Sequence, residues 1–322
     1  MSLIVQKFGG TSVGSIERIE KVARRVLAVR QNGHQVVVVV SAMAKETDRL
    51  LGLVRQISPR PDGCESDVVA ASGETIAAAL TALMIQSLGG KARSILGFQL
   101  PILTDEGPTQ ARIKSLDPKL IHECLSHGEI PVVAGFQGMD GQGRITTLGR
   151  GGSDLTAVAL AASLGSVPCE IYTDVDGVFT ADPRICPEAI LLPRVSYRFM
   201  IEAASLGARV MHDRSVQLGM RYNVPIQVKS SFNDCTGTEI GKEETLVNCV
   251  TLASQVALAR VSWIGSEAGS CLTKIPQLVE LFSEKWIRPH GITLGPMSLS
   301  FLLPQNQAVE AVQLLHRSLE CN

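Results

Sequence analysis

Two glycine-rich segments carry the residue types that could hold an anion. The first is Lys7-Phe8-Gly9-Gly10-Thr11-Ser12, placed where a first strand runs out and a first helix is about to begin. Paired glycines let backbone N–H groups approach a phosphate or carboxylate, a helix N-terminus favours negative charge, and Lys7 adds a full positive charge. The second is Gly149-Arg150-Gly151-Gly152-Ser153-Asp154. Its glycines open a helix expected over 153–164, with Ser153 and Asp154 at the cap. The planar fork of Arg150 suits a carboxylate or phosphate. A cap alone accounts for Ser153 or Asp154, but not for the glycines and arginine before them.

Two further segments hold carboxylates. Ser72-Gly73-Glu74 precedes a helix expected from about Thr75, where a carboxylate ordinarily partners the helix dipole. The run from Thr173 and Asp174 through Phe179 to Arg184 follows a strand and combines three aspartates with an arginine. Its register does not complete a calcium loop. The chain has no Walker A loop and no G-x-G-x-x-G after a strand. The eight cysteines include no C-x-x-C pair, so they read as reduced thiols, and no metal-ligating set is expected.

These segments need elements to position them. Leu3 to Phe8 reads as a strand, and Ile16, Ile19, Val22, Val26 and Val29 recur at helical spacing until Asn32-Gly33. Val36 to Val40 is β-branched throughout, as in a central strand covered on both faces. Further strands are expected at Ile130 to Ala134, Glu170 to Thr173 and Ile226 to Ser230. Helices are expected after Pro118 and near 197–205 and 212–222. Alternating strands and helices predict an α/β sandwich with a largely parallel sheet, whose ligands gather outside the carboxyl ends of the strands. The polar stretch from Asn233 to Glu244 marks a boundary, giving domains 1–240 and 241–322. Beyond it the pattern is β-α-β-β-α, a small ferredoxin-like α+β module.

Composition narrows the ligand. The chain has 322 residues, 45% of them hydrophobic, and a net charge of -1, which excludes disorder. Lys+Arg 30 against Asp+Glu 31 leaves no basic excess for nucleic acid or an acidic membrane, and 4% aromatic residues make no base-stacking surface. No apolar run is expected to reach the ~20 residues of a membrane helix. With no signal-type core near Met1, the reading is a cytoplasmic protein with a small ligand.

Taken in order, the segments KFGGTS, SGE, FQG (Phe136-Gln137-Gly138), GRGGSD, TDVDGVFTADPR and Ser205-Leu206-Gly207-Ala208-Arg209-Val210 follow the motif order of the aspartate kinases. Over roughly residues 3–240 the chain resembles that family, within the amino-acid kinase superfamily, and its tail resembles a single ACT-type module where the family usually carries two. The resemblance implies ATP-dependent phosphorylation of the β-carboxylate of L-aspartate, with Mg²⁺. Alternatives are a related acidic amino acid as substrate, or a weakly catalytic homologue that senses an amino acid or ATP. The resemblance also implies that Lys7 contacts the transferring phosphoryl group and that Gly9 and Gly10 line the phosphate site. Ser41, Thr47 and Phe136 would contact the substrate, Glu74 its ammonium, and Arg150 and Ser153 its carboxylates, with Asp154 organising the centre. Thr173, Asp174, Phe179, Arg184 and Arg209 would fall at the nucleotide, and a homodimer would form through the tail. Arg209 stands where the family usually has Lys, Phe179 where Tyr is common, and Asp213 where Pro is usual. The loop from Gly265 to Gly269, with Glu267, lacks the family's usual effector motif.

Overall fold

The first strand and the valine run become neighbours. Strands β1 (Leu3–Phe8) and β2 (Gln35–Val40) pair in parallel, with Lys7 opposite Val39 and Phe8 opposite Val40. Helix α1 (Ile16–Gln31) joins them, capped by the Ser15 side chain. The computed structural model describes residues 2–243, 247–254, 257–265 and 275–320. They fall into two compact units, Met1–Val175 with Leu218–Cys235, and Asp176–Gln217 with Thr236–Asn322.

In the first unit α2 (Glu46–Ile57) and α3 (Gly63–Ser87) follow β2. Next come β3 (Ala92–Ile95), β4 (Ile102–Thr104), β5 (Ile113–Leu116) and α4 (Lys119–Ser126). Then β6 (Ile130–Ala134), β7 (Gln137–Met139), β8 (Ile145–Thr147), α5 (Gly152–Ser163) and β9 (Cys169–Thr173) lead out of this stretch. The chain continues through β10 (Arg194–Ser196), α6 (Tyr197–Ser205), α7 (Asp213–Tyr222), β11 (Ile226–Ser230) and β12 (Thr238–Gly241).

Six strands of the first unit run in the order β11-β9-β1-β2-β6-β3, every neighbouring pair parallel. Val36 to Val40 are fully buried, because helices cover both faces of β2. On one face Val36, Val38, Val40 and Phe8 pack with Ile19, Val22 and Val26 of α1 and with Ala77, Ala78 and Ile85 of α3. Each of the valine, isoleucine and phenylalanine side chains contributes roughly 1.5–3 kcal/mol, the alanines less. Helix α5, buried from Gly152 to Ala161, lies against β1, β2 and β9. The short strands β5-β4-β7-β8 form a second small sheet. They are three or four residues long, too short for the period-two pattern that would have exposed them in the sequence.

Helix α3 corrects two expectations. It starts at Gly63 rather than near Thr75, with Asp62 accepting from the Cys64 and Glu65 amides. Ser72-Gly73 does not interrupt it. A Cβ on Gly73 would lie 2.8 Å from the Ala42 Cβ, so glycine there lets the helix approach the end of β2. At 25 residues α3 is also long and apolar enough to cross a bilayer, against the expectation of no such stretch. It is instead a core helix of the first unit, with Asp67 and Glu74 buried among its alanines.

The second unit contains the parallel pair β10–β12, Val195 opposite Ile240. It also contains β13 (Asn248–Ser254), β14 (Leu258–Gly265), α8 (Ile275–Glu284), β15 (Gly291–Leu294), β16 (Ser298–Pro304) and α9 (Ala308–Glu320). The expected β-α-β-β-α pattern is there, with β13 added at the edge, giving the antiparallel order β13-β14-β16-β15. Val261, Trp263, Phe282, Phe301 and Leu315 fill its core. The 176–217 stretch is bonded into this unit, the Val250 amide donating to Thr180 O at 2.8 Å and Ser298 Oγ to Glu202 Oε1 at 2.5 Å. The effector-loop reading falls on residues 266–269, outside the described residues.

Candidate active site

The carboxyl ends of the parallel strands gather the expected residues of the first unit. Phe8 points to the α1 face, stacked on Tyr172 with ring centroids 4.8 Å apart. Alternation along β1 therefore sends Lys7 to the α5 face. There Lys7 Nζ meets Asp154 Oδ1 at 2.6 Å, with side chains only 10% and 12% exposed. Asp154 lies in the first turn of α5. The N-cap is Gly151, in the left-handed region at φ 67°, and no side chain caps the helix. Ser153 and Asp154 are thus not caps, as the sequence had suggested, and their polar groups are left for other work.

The glycine pair lies in a turn rather than at a helix start, since α1 begins only at Ile16. The Gly9 amide donates to Tyr172 O at 3.0 Å, and the Ser41 amide to Phe8 O at 3.1 Å. Gly10 has no room for a side chain, because a Cβ would sit 2.7 Å from Ala42 O. The 41–47 segment is thereby drawn against the turn, bringing half-buried Ser41 beside it, and half-buried Thr47 follows in the first turn of α2.

Glu74 reaches this segment from α3. Its Oε1 accepts from the Ala42 amide at 3.0 Å, while Oε2 is buried with no partner among the described residues. Burial pushes its carboxyl up to about 7; the Ala42 N–H and the Lys7 charge pull the other way. The sequence reading placed Glu74 at a helix N-terminus, but it sits mid-helix, so the dipole plays no part.

Arg150 is exposed and makes no ion pair among the described residues. Ser153 is buried against Gly135, where a Cβ would lie 2.8 Å from the Ser153 Cβ. Phe136 adopts φ 70°, an outlier for an aromatic residue. Its amide donates to Thr156 Oγ1 at 3.1 Å, and its carbonyl accepts from the Leu148 amide at 2.8 Å. At the end of β9, Thr173 Oγ1 donates to Asp174 Oδ1 at 3.3 Å, and Asp174 is exposed.

The remaining expected residues belong to the second unit. Phe179 bridges to Leu191, Arg184 is engaged by both Asp182 oxygens, and Arg209 is exposed beyond α6.

Two carboxylates, one buried and one half-buried, escaped the sequence reading. Asp67 on α3 is 1% exposed and accepts from the Thr109 amide, the Thr147 amide and the Thr147 hydroxyl. Glu170 accepts from Lys229 Nζ and Gln6 Nε2, each at 2.7 Å, and from the Tyr172 hydroxyl at 3.0 Å. Residue spacing could have flagged Asp67, seven positions before Glu74 on one helix face, had the start of α3 been placed correctly.

In charge terms the first unit offers a buried carboxylate with an unmet oxygen, a buried ammonium and an exposed guanidinium. Such a set suits a small ligand bearing both an ammonium and carboxylates, beside a phosphate.

The amino acid kinase family model matches residues 2–230. An aspartokinase of Geobacillus stearothermophilus is 48% identical over 270 residues, 83% of this chain and 66% of its own length. The chain thus spans about two thirds of that relative. An aspartokinase of Corynebacterium efficiens is 41% identical over 328 residues, 98% of this chain and 78% of its own. Among solved structures, Escherichia coli aspartokinase III in complex with aspartate and ADP matches with a TM-score of 0.84 at 20% identity, covering 99% of this chain and 100% of that one. That likeness bears on the fold, a parallel-sheet α/β sandwich with a small antiparallel α+β part. With the family model spanning the strands that build the site, and a relative matched along almost the whole chain, the chain belongs to the amino acid kinase family, among its aspartokinases.

Proposed function

We propose that the chain transfers the γ-phosphoryl group of ATP to the β-carboxylate of L-aspartate, giving 4-phospho-L-aspartate and ADP. The observation that carries this reading is the convergence of Lys7, Asp154 and Glu74 at the carboxyl end of β1, with Arg150, close to Asp154 in sequence, unpaired among the described residues. A β-carboxylate oxygen attacks the γ-phosphorus in line. The new O–P bond forms as the bond to the bridging oxygen breaks, and ADP leaves with that electron pair. The carboxylate is ionised at neutral pH, so no general base is required. Positioning and charge neutralisation supply the catalysis.

Each residue then has a role. Lys7 neutralises charge on the phosphoryl oxygens, and the turn at Gly9 and Gly10 lets the triphosphate approach the backbone. Glu74, with Oε2 unmet, takes the substrate ammonium. Arg150 takes a substrate carboxylate, Ser153, Ser41 and Thr47 complete the amino-acid pocket, and Phe136 shapes its wall. Asp154 holds Lys7 in place. Thr173, Asp174, Phe179, Arg184 and Arg209 serve the nucleotide. Mg²⁺ accompanies ATP, its preference for oxygen ligands met largely by the phosphates. Relatives named aspartokinases support aspartate as the substrate. We place the protein in the cytoplasm, as a homodimer through an ACT-like module at 241–322, which light scattering of the full chain checks.

The test is ATP consumption across a panel of acidic amino acids, with hydroxylamine trapping of the acyl phosphate. Aspartate should give the hydroxamate fastest. A different acidic amino acid giving the highest kcat/KM would reassign the substrate, and ATP turnover without hydroxamate would remove the carboxyl acceptor.

A further inference from the structure

Arg150 is the exposed residue of its loop and has no ion-pair partner among the described residues, yet a carboxylate clamp must be held in place. The sequence provides two hinges beside it, Gly149 at φ 75° and Gly151 at φ 67°. Something must fix the loop before it reaches Arg150. Asp67 is placed to do so. Its Oδ1 accepts from the Thr147 hydroxyl at 2.6 Å, and its Oδ2 accepts from the Thr147 amide at 2.9 Å and the Thr109 amide at 2.9 Å. Thr147 is the last residue of β8, three positions before Arg150.

The same carboxylate controls the neighbouring wall. Thr109 adopts φ 65°, unfavourable for a β-branched residue, and its amide is turned onto Asp67. The loop then closes on this wall: the Ala111 amide donates to Thr147 O at 2.9 Å, and a Cβ on Gly149 would sit 3.1 Å from Thr109 O. Asp67 is 1% exposed, so this carboxylate is not there for solvent. It stands on α3, the helix that carries Glu74. Seven residues separate the two, nearly two full turns, so both project on one side of the helix, about 10 Å apart along its axis.

From this geometry we infer that Asp67 is a positioning residue for amino-acid binding: through Thr147 it sets the loop that presents Arg150, while Glu74 on the same helix meets the ammonium. The inference rests on the reading of Arg150 as a carboxylate clamp. Neither Asp67 nor Thr147 touches substrate.

The test uses the full chain, with steady-state KM for aspartate and for MgATP measured separately and melting temperature followed alongside. Thr147→Val keeps the amide bond to Asp67 and the side-chain volume but removes the hydroxyl donor. It should raise the aspartate KM about five- to twentyfold and leave the MgATP KM within twofold. Thr147→Ser, which restores the hydroxyl, should recover most of that loss. Asp67→Asn should give a larger effect in the same direction, and if it does not fold, the Thr147 pair decides. In an Arg150→Ala background Thr147→Val should cost nothing further, because two changes acting through one group do not add.

Equal rises in both KM values, or no rescue by serine, would make Asp67 merely structural and overturn the inference. Full additivity with Arg150→Ala would also overturn it. If Arg150→Ala itself leaves the aspartate KM unchanged, the clamp reading falls, and the inference falls with it.

Discussion

Lys7 Nζ and Asp154 Oδ1 form an ion pair at 2.6 Å that is about nine-tenths withdrawn from water. At that depth each charge depends on the other, since removing one partner of a buried pair costs about 3–5 kcal/mol while removing both often costs little. The pair joins the end of β1 to the first turn of α5, so it is a structural tie and, on the proposed function, the place where Lys7 would meet a phosphoryl group.

Lys7→Met should therefore lower turnover roughly 10²–10³-fold, the scale of removing one electrostatic partner of a transition state. It should also lower the melting temperature. Adding Asp154→Asn should restore much of the melting temperature and none of the turnover. Wild-type turnover in Lys7→Met would remove this lysine from the phosphate site.

Glu74 sets a pH dependence whose sign is fixed by its raised carboxyl. Folding favours the protonated form, so the free chain bears no penalty below the ordinary value near 4.5 and the full penalty above about 7. Its stability should fall as pH rises between them, by roughly 3 kcal/mol. Glu74→Gln should flatten that slope in urea titrations at pH 5 and pH 8. Ammonium binding needs the ionised form, so kcat/KM for aspartate should drop as pH falls below about 7. A pH-independent kcat/KM between pH 6 and pH 8 would contradict this.

Arg150→Ala should act on binding alone. The side chain is exposed and unpaired among the described residues, so the melting temperature should move by no more than about 1–2 °C. Calorimetry should show aspartate binding weakened at least tenfold and ADP binding within a few-fold. Loss of ADP with aspartate retained would exchange the two halves of the site.

Gly10→Ala places a methyl carbon 2.7 Å from Ala42 O, a backbone atom that cannot swing aside. The expected cost is about 1–3 kcal/mol of stability. Because the shift must pass to the segment bearing Ser41, the aspartate KM should rise as well. An alanine variant with unchanged melting and KM would show that the turn has slack.

The parallel sheet was legible because Val36 to Val40 has only one physical use, a strand covered on both faces. Lys7 and Asp154 were legible as candidates because a glycine pair next to a charge leaves a mark on the sequence, and the structure pairs the two side chains. The start of α3 was not. Ser72-Gly73 reads as a break in local terms, and only the tertiary approach of Ala42 makes glycine an asset within the helix. That misplacement hid the relation of Asp67 to Glu74. Strand β13 was equally hidden, since its place is set by pairing with β14 rather than by its own pattern.

Ala42 is hemmed in from two sides. Gly10 meets its carbonyl and Gly73 meets its methyl group. To a drifting gene these two glycines are different kinds of constraint. A Gly73→Ala change can be made good by Ala42→Gly, so that pair can exchange a carbon atom over generations and end where it began. No replacement at position 42 removes a carbonyl, and Gly10 therefore has no compensating partner. One glycine belongs to a reversible trade, and the other faces a backbone atom that no substitution at position 42 can take away.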